Sequence, residues 1–330
     1  MSAGGLDLIA PAGTPAALRA AVGAGADAVY VGFQDTTNAR NFPGLNFSRP
    51  EMAEAARYAH EHGRELFVAI NTLPEAGRPG PWRLAVDDAA RLGADAVILA
   101  DIGLLEYAAD RHPLLRRHLS VQASASNPEA IRLFAEEFDI RRVVLPRVLT
   151  LDAIARLAEE ITVEIEVFAF GGLCVMAEGR CALSSYATGQ SSNKDGVCSP
   201  ASHVRYETRG DQLISRLGDF TIDRFDPGEP AGYPTLCKGR FRVNGIESHL
   251  FEEPASLNAL NLLPALRRAG VAALKIEGRQ RGPAYVSRVV AAFRRAIDAP
   301  PGEIGQSETS LDDLTEGSRS TVGAYRRDWR

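Results

Sequence analysis

A chain of 330 residues with 45% hydrophobic side chains is long and apolar enough to bury one large core or two smaller ones, which excludes disorder of the whole. A net charge of −5 offers no global electrostatic footprint for nucleic acid, and no apolar run approaches membrane-spanning length. The first five residues carry neither a basic nor an apolar leader region, so a cytoplasmic location is expected.

Eight short apolar runs, each ending in glycine or a polar residue, read as strands: residues 6–12, 28–33, 65–71, 96–101, 119–124, 142–147, 164–171 and 273–278. Amphipathic stretches of helical length separate most of them, among them 50–62, 82–92, 127–138 and 150–161, and 285–298 follows the last strand. Three junctions repeat one another: Ala24-Gly25-Ala26-Asp27-Ala28-Val29, Leu92-Gly93-Ala94-Asp95-Ala96-Val97 and Ala269-Gly270-Val271-Ala272-Ala273-Leu274. Each sets glycine where a helix must stop before a buried strand begins. Eight such units predict a TIM-type (β/α)8 barrel over residues 1–298, with a doubly wound open sheet as the alternative. Residues 299–330, rich in Ser, Thr, Asp, Glu and Arg without apolar periodicity, read as a flexible tail.

About one hundred residues separate the seventh and eighth predicted strands, far more than a βα unit needs. The insertion is placed at residues 172–255, and all four cysteines of the chain, Cys174, Cys181, Cys198 and Cys237, lie in it. Cys174 follows strand seven directly, so the group is expected at the C-terminal mouth of the barrel, where such folds carry their chemistry. Disulfides are not expected in a reducing compartment. Soft thiolates select zinc, copper(I) or iron-sulfur clusters. The gaps of six, sixteen and thirty-eight residues contain no close C-x2-4-C pair of the zinc type and no ferredoxin spacing. Four thiolates match the ligand count of a [4Fe-4S] centre; four buried, unligated cysteines are the competing reading.

The stretch Glu166-Val167-Phe168-Ala169-Phe170-Gly171-Gly172-Leu173-Cys174, followed by Gly179, Cys181, Leu183 and Ser184, resembles the signature of the collagenase-like peptidase superfamily. Lys275-Ile276-Glu277-Gly278-Arg279 resembles its second hallmark, and Leu8-Ile9-Ala10-Pro11-Ala12-Gly13 and Asp27-Ala28-Val29-Tyr30-Val31-Gly32 are also typical. The resemblance covers roughly residues 6–298. The four-cysteine spacing and Gly172, in place of the serine or alanine common elsewhere, resemble the ubiquinone-biosynthesis branch. This resemblance implies a [4Fe-4S] cluster on Cys174, Cys181, Cys198 and Cys237, and a role in oxygen-independent hydroxylation of the ubiquinone ring. It implies an obligate heterodimer with the homologous partner UbiV, and prephenate as the oxygen donor. The substrate is insoluble, and the sequence shows no amphipathic anchor, so a separate lipid-carrying protein is expected to present it. Hydroxylation of RNA bases, as in other branches, is the alternative, and a subunit that only relays electrons is a third. Peptidase chemistry finds no HExxH or GxSxG motif here.

Asn71, Asp101, Gln122, Arg147, Glu277 and Arg279 end or follow predicted strands and so become candidate mouth residues. Arg147 and Arg279 suit bidentate carboxylate binding, and either can instead pair with Glu277 or Asp101. Glu277 is a candidate general acid or base. Arg180 and Lys238, each beside a cysteine, are candidates to offset thiolate charge. His60 and His62 point to different helix faces and read as a solvated helix end. The glycines around residue 23 precede a strand and lack the third glycine of a dinucleotide site.

Overall fold

The computed structural model describes residues 5–192, 196–249, 251–300, 311–316 and 319–326. The chain begins β1 (Asp7–Pro11), α1 (Pro15–Gly23), β2 (Ala28–Val31), α2 (Arg49–Glu61), β3 (Glu65–Ile70) and α3 (Gly80–Arg91). It continues β4 (Ala96–Leu99), α4 (Ile102–Arg111), β5 (Arg116–Leu119), α5 (Pro128–Phe138), β6 (Ile140–Val144), α6 (Leu151–Glu160) and β7 (Glu164–Gly172). These strands pair in parallel with their chain neighbours, and the later strand β14 (Ala273–Ile276) pairs with both β1 and β7. That double pairing closes the sheet into a TIM-type barrel and removes the open-sheet alternative.

Local chemistry sets the element boundaries. Thr14, Asn127 and Thr150 cap α1, α5 and α6 through side-chain oxygens, and Ser48 with Glu51 forms a capping box at α2. At the repeated junctions Gly25, Gly93 and Gly270 adopt φ of 97°, 88° and 80°, the left-handed turn that ends each helix. The aspartates of the first two junctions stitch neighbouring strands: Asp27 accepts from the Leu8 N–H at 2.8 Å and Asp95 from the Leu66 N–H at 2.7 Å.

Two layers fill the barrel. The outer one packs Leu8, Val29, Leu66, Val97 and Leu274 against the helices, including the helix Pro283–Asp298. The lumen is mixed. Ile9, Ala28, Tyr30, Phe67, Ala69, Ala96, Ile98 and Ala273 form an apolar group. Against its rings, the buried Arg142 of β6 meets Glu166 at 3.3 Å, Glu164 at 2.6 Å and Asp7 at 2.8 Å, while Lys275 of β14 lies 4.0 Å from the Tyr30 ring and meets Glu166 at 2.6 Å.

The predicted fifth strand, 119–124, is displaced: β5 ends at Leu119 and Val121–Ala123 is a single 3-10 turn. The reason is the inward charge of the strand itself. Arg117 and His118 are buried, Arg117 donating to carbonyls of Leu115 at 2.8 Å and Phe138 at 2.8 Å, so this strand carries no apolar run.

Between Gly172 and Ser256 the chain makes the short helix α7 (Leu183–Thr188), a three-stranded antiparallel sheet of β8 (Val204–Arg209), β9 (Gln212–Leu217) and β10 (Phe220–Phe225), and a hairpin of β11 (Arg240–Val243) and β12 (Ile246–His249). It returns as β13 (Ser256–Asn258), antiparallel to the last residues of β7, and then reaches α8 (Leu263–Arg268) and β14.

The tail read as flexible from residue 299 is a correction over its described part. Ser320–Thr321 forms β15 alongside β13, Leu311 is buried, and Tyr325 is 4% exposed with its hydroxyl donating to the Phe168 carbonyl at 2.5 Å. Polar composition hid a few apolar anchors that suffice to dock a segment. Residues 301–310, 317–318 and 327–330 lie outside the described residues.

Candidate functional site at the barrel mouth

β14 positions the site. Alternation along the strand turns Ala273 and Lys275 into the lumen, and the same direction continues into Glu277 and Arg279 above the strand end. Glu277 is held against β7 by its N–H, which donates to the Phe170 carbonyl at 2.8 Å. Gly171 explains why this approach is possible: its φ is 123°, and a Cβ there would lie 2.7 Å from the Glu277 Cβ. Gly179 similarly clears the Gln122 carbonyl, which a Cβ would meet at 2.3 Å. The glycines of the Gly171–Cys181 segment thus accommodate the barrel's own backbone and Glu277.

Two guanidiniums pair with that carboxylate. Arg147 contacts Glu277 at 2.5 Å and Glu178 at 2.7 Å, donates to the Gly172 carbonyl, and stacks 4.1 Å above the Phe168 ring. Arg40 reaches the other Glu277 oxygen at 2.7 Å. Burial pushes the Glu277 carboxyl up, but Arg147 and Arg40 outweigh it and hold the group down at about 2. Glu277 is therefore held as the ionised counter-ion of Arg147 and Arg40. Glu178 is 8% exposed, its Oε2 has no hydrogen-bond partner, and burial pushes its carboxyl up against the pull of Arg147. Arg279 is buried above the Tyr30 ring and donates to Asn38 Oδ1 at 3.1 Å.

None of the four cysteines is joined in a disulfide. Their loops are fixed separately. Ser124 Oγ donates to the Glu178 carbonyl between Cys174 and Cys181. The Cys198 carbonyl accepts from Ser184 Oγ at 2.6 Å, and Tyr233 holds the next residue through the Ser199 carbonyl at 3.0 Å. Cys237 sits in the 3-10 turn Leu236–Lys238. The thiols nevertheless act on one another: Cys198 affects Cys174 and Cys237, and Cys181 affects Cys198 and Cys237. Burial first pushes Cys174 and Cys237 up to about 12, with Glu178 adding to it at Cys174 and the neighbouring cysteines at Cys237. Cys198 also lies within electrostatic reach of Arg40, Glu277 and Arg147, which joins the cysteine group to the arginine-lined mouth. Among the described residues, no three His, Cys, Asp or Glu side chains are gathered tightly enough for one metal ion. A cubane cluster distributes its four thiolates over four irons, so four separately anchored thiols around one locus suit it better than a single-ion site.

Of the other sequence candidates, Arg147, Glu277 and Arg279 come together, and three do not join them. Asp101 caps α4 by accepting from Leu104 N–H at 3.0 Å, Asn71 braces Ala39 and Ser120, and Gln122 lies in the 3-10 turn. Lys238 is buried against Glu316 of the C-terminal segment at 2.5 Å, and Arg180 is exposed. His60 and His62 diverge, toward Asp95 at 2.9 Å and the Tyr58 carbonyl at 2.8 Å. Arg40, Asn38 and Glu178 were missed by the sequence reading. Glu178 had a signal, its place between two cysteines; Arg40 and Asn38 sit in the loop after β2, which carries no pattern.

The fold and site define a closed α/β barrel with a thiol-bearing insertion over an arginine-rich mouth. The chain belongs to peptidase family U32, whose model matches residues 13–321. It is 32% identical over 314 residues to the 23S rRNA 5-hydroxycytidine C2501 synthase of Escherichia coli, covering 94% of this chain but 42% of that protein. It is 30% identical over 329 residues to the tRNA hydroxylation protein P1 of Bacillus subtilis, covering 97% of this chain and 70% of the relative. The collagenase of Porphyromonas gingivalis is 29% identical over 310 residues, covering 91% and 67%. The chain thus spans less than half of the ribosomal-RNA relative. No helix among the described residues is long and apolar enough to cross a membrane.

Proposed function

We propose that this chain is the iron-sulfur component, of UbiU type, of an oxygen-independent hydroxylase of the ubiquinone ring, acting as a heterodimer with UbiV and with prephenate as oxygen donor. The observation that carries the reading is that the four cysteines, joined by no disulfide, lie within electrostatic reach of one another, with Cys198 also in reach of the Arg40–Glu277–Arg147 group. Relatives named for RNA hydroxylation in the same family support a hydroxylase role. Cys174, Cys181, Cys198 and Cys237 would hold the [4Fe-4S] group, which when bound supplies electron-transfer chemistry. Arg147 ties the cysteine segment to the barrel rim through Glu178, and its charge with that of Arg40 keeps Glu277 ionised. A lipid-carrying protein would bring the quinone intermediate to this mouth.

RNA-base hydroxylation is the second reading, favoured by the names of the relatives themselves. The two separate in one experiment. The chain is purified anaerobically with UbiV, assayed for iron and acid-labile sulfide, and incubated with prephenate and either a ubiquinone precursor or unmodified RNA. About four irons per chain, lost on changing Cys174 and Cys181 to alanine, together with a hydroxylated quinone product, is the expected result. A hydroxylated nucleoside instead would move the chain to the RNA reading. Absence of iron would overturn both.

A further inference from the structure

The arginines at the mouth are not equivalent. Arg147 is answered by two carboxylates and Arg40 by one, whereas Arg279 forms no ion pair among the described residues. It is 4% exposed, and among the described residues its one hydrogen bond runs to the amide oxygen of Asn38, which also accepts from the Arg40 N–H at 3.1 Å. A guanidinium has five N–H donors, and a buried cation ordinarily has a counter-ion.

The chain is nonetheless shaped to hold this cation. A Cβ on Gly32 would lie 2.6 Å from Arg279 Nη1 and 2.7 Å from Asn38 Cγ, and a Cβ on Gly13 would lie 1.9 Å from the Arg279 carbonyl oxygen. Asn38 is itself fixed by donating to the Phe33 carbonyl at 2.6 Å. Two glycines and a buried amide therefore make room for a cation that no carboxylate contacts among the described residues. Burial, with Arg40 adding to it, lowers Arg279 to about 10, so it remains cationic at neutral pH.

We propose that Arg279, backed by Arg40, is a binding subsite for the carboxylate of a small acidic ligand at the barrel mouth. This deepens the proposed function and rests on it only for the ligand's role as co-substrate. The local charges favour a monovalent carboxylate. Arg40 and Arg147 pair with Glu277 and Glu178, whereas Arg279 contacts neither carboxyl group. Glu277, ionised and two residues from Arg279 in the chain, repels a second negative charge on the same group, which disfavours phosphate dianion.

The test is calorimetric titration of the cluster-bearing heterodimer with malonate, prephenate and inorganic phosphate, for the parent protein, R279Q, R279K and R40Q. Iron content and circular dichroism establish that each variant is loaded and folded. A carboxylate should bind the parent, roughly 10- to 100-fold more weakly to R279Q, with R279K between them. R40Q, which removes the backing charge and one of the two partners of Glu277 but leaves Arg279 itself in place, should weaken it less. R279K carries the test if R279Q does not fold. Equal affinity in the parent and the folded Arg279 variants, or no carboxylate binding by the parent, would overturn the subsite. Phosphate bound as tightly as malonate, and lost in step, would overturn the carboxylate assignment. Carboxylate binding that depends on Arg279 in a heterodimer that hydroxylates no quinone would leave the subsite standing and refute the proposed function.

Discussion

Changing Arg147 to methionine puts a number on the mouth's ion-pair chain. The substitution removes the partner of Glu178 at 2.7 Å, one of two partners of Glu277, and the donor to the Gly172 carbonyl. Breaking a buried pair by deleting one member costs about 3–5 kcal/mol, because the remaining charge is stranded. Glu277 keeps Arg40 at 2.7 Å, so the stranded charge is that of Glu178. Its carboxyl already sits above the usual range through burial, and loss of Arg147 raises it further. A carboxyl raised in the folded state binds a proton more readily folded than unfolded. Stability therefore falls as pH rises from its unfolded value through its folded one. The deficit of R147M is accordingly largest at pH 8 and shrinks toward pH 5. Adding E178Q removes the ionisable group and should recover all but about 1–3 kcal/mol, the cost of the unsatisfied carbonyl and amide. Urea unfolding of the metal-free chain at pH 5 and pH 8, compared at a common m-value, reads both effects. A double variant no more stable than R147M, together with a pH-independent deficit, would refute the reasoning.

Glu277 should show the opposite pH behaviour. Held at about 2 against the usual 4.5, it contributes stability that is fully present above pH 4.5 and lost as pH falls toward 2, about 3 kcal/mol in all. Acid titration of the metal-free parent against E277Q should show that slope only in the parent; parallel curves would contradict the charge assignment. Y325A tests the C-terminal segment: deleting a ring that is almost wholly buried and bonded to the Phe168 carbonyl should cost about 3–5 kcal/mol. Denaturant unfolding that shows a loss below about 1 kcal/mol would mean that the segment does not hold β7.

How much of this was legible in sequence depends on which face of a strand carried the signal. The outer faces of β1, β2, β3, β4, β7 and β14 are apolar because each packs on helices, so their runs and the Gly-turn junctions were readable. β5 was misplaced because Arg116, Arg117 and His118 occupy it, and a buried arginine looks like a surface one until its carbonyl partners are known. The insertion's sheets were not read at all. The hairpin had a usable cue in Asn244-Gly245, which adopt φ of 53° and 81° as a two-residue turn requires. At the site, Glu277, Arg279 and Arg147 were reached from strand ends. Their division of labour was not, because it depends on Arg40, Asn38 and Glu178, brought in by loops from distant parts of the chain.

The same lumen carries two charged groups, and their difference separates support from function. Deep in the barrel, the buried Arg142 and Lys275 are met by Glu166, with Glu164 and Asp7 at the rim, so every buried cation has a carboxylate within reach. Burial and ion pairing there fix strand positions, as the contacts from β6 and β14 onto one β7 residue require. At the mouth the pairing among the described residues is incomplete: Glu178 leaves an oxygen without a hydrogen-bond partner, and Arg279 meets an amide and the Tyr30 ring but no carboxylate. Both groups are buried, so each lowers the stability of the ligand-free fold. An arrangement that the barrel satisfies at one end and leaves unsatisfied at the other, beside the four cysteines, is where the proposed carboxylate ligand would gain its binding energy.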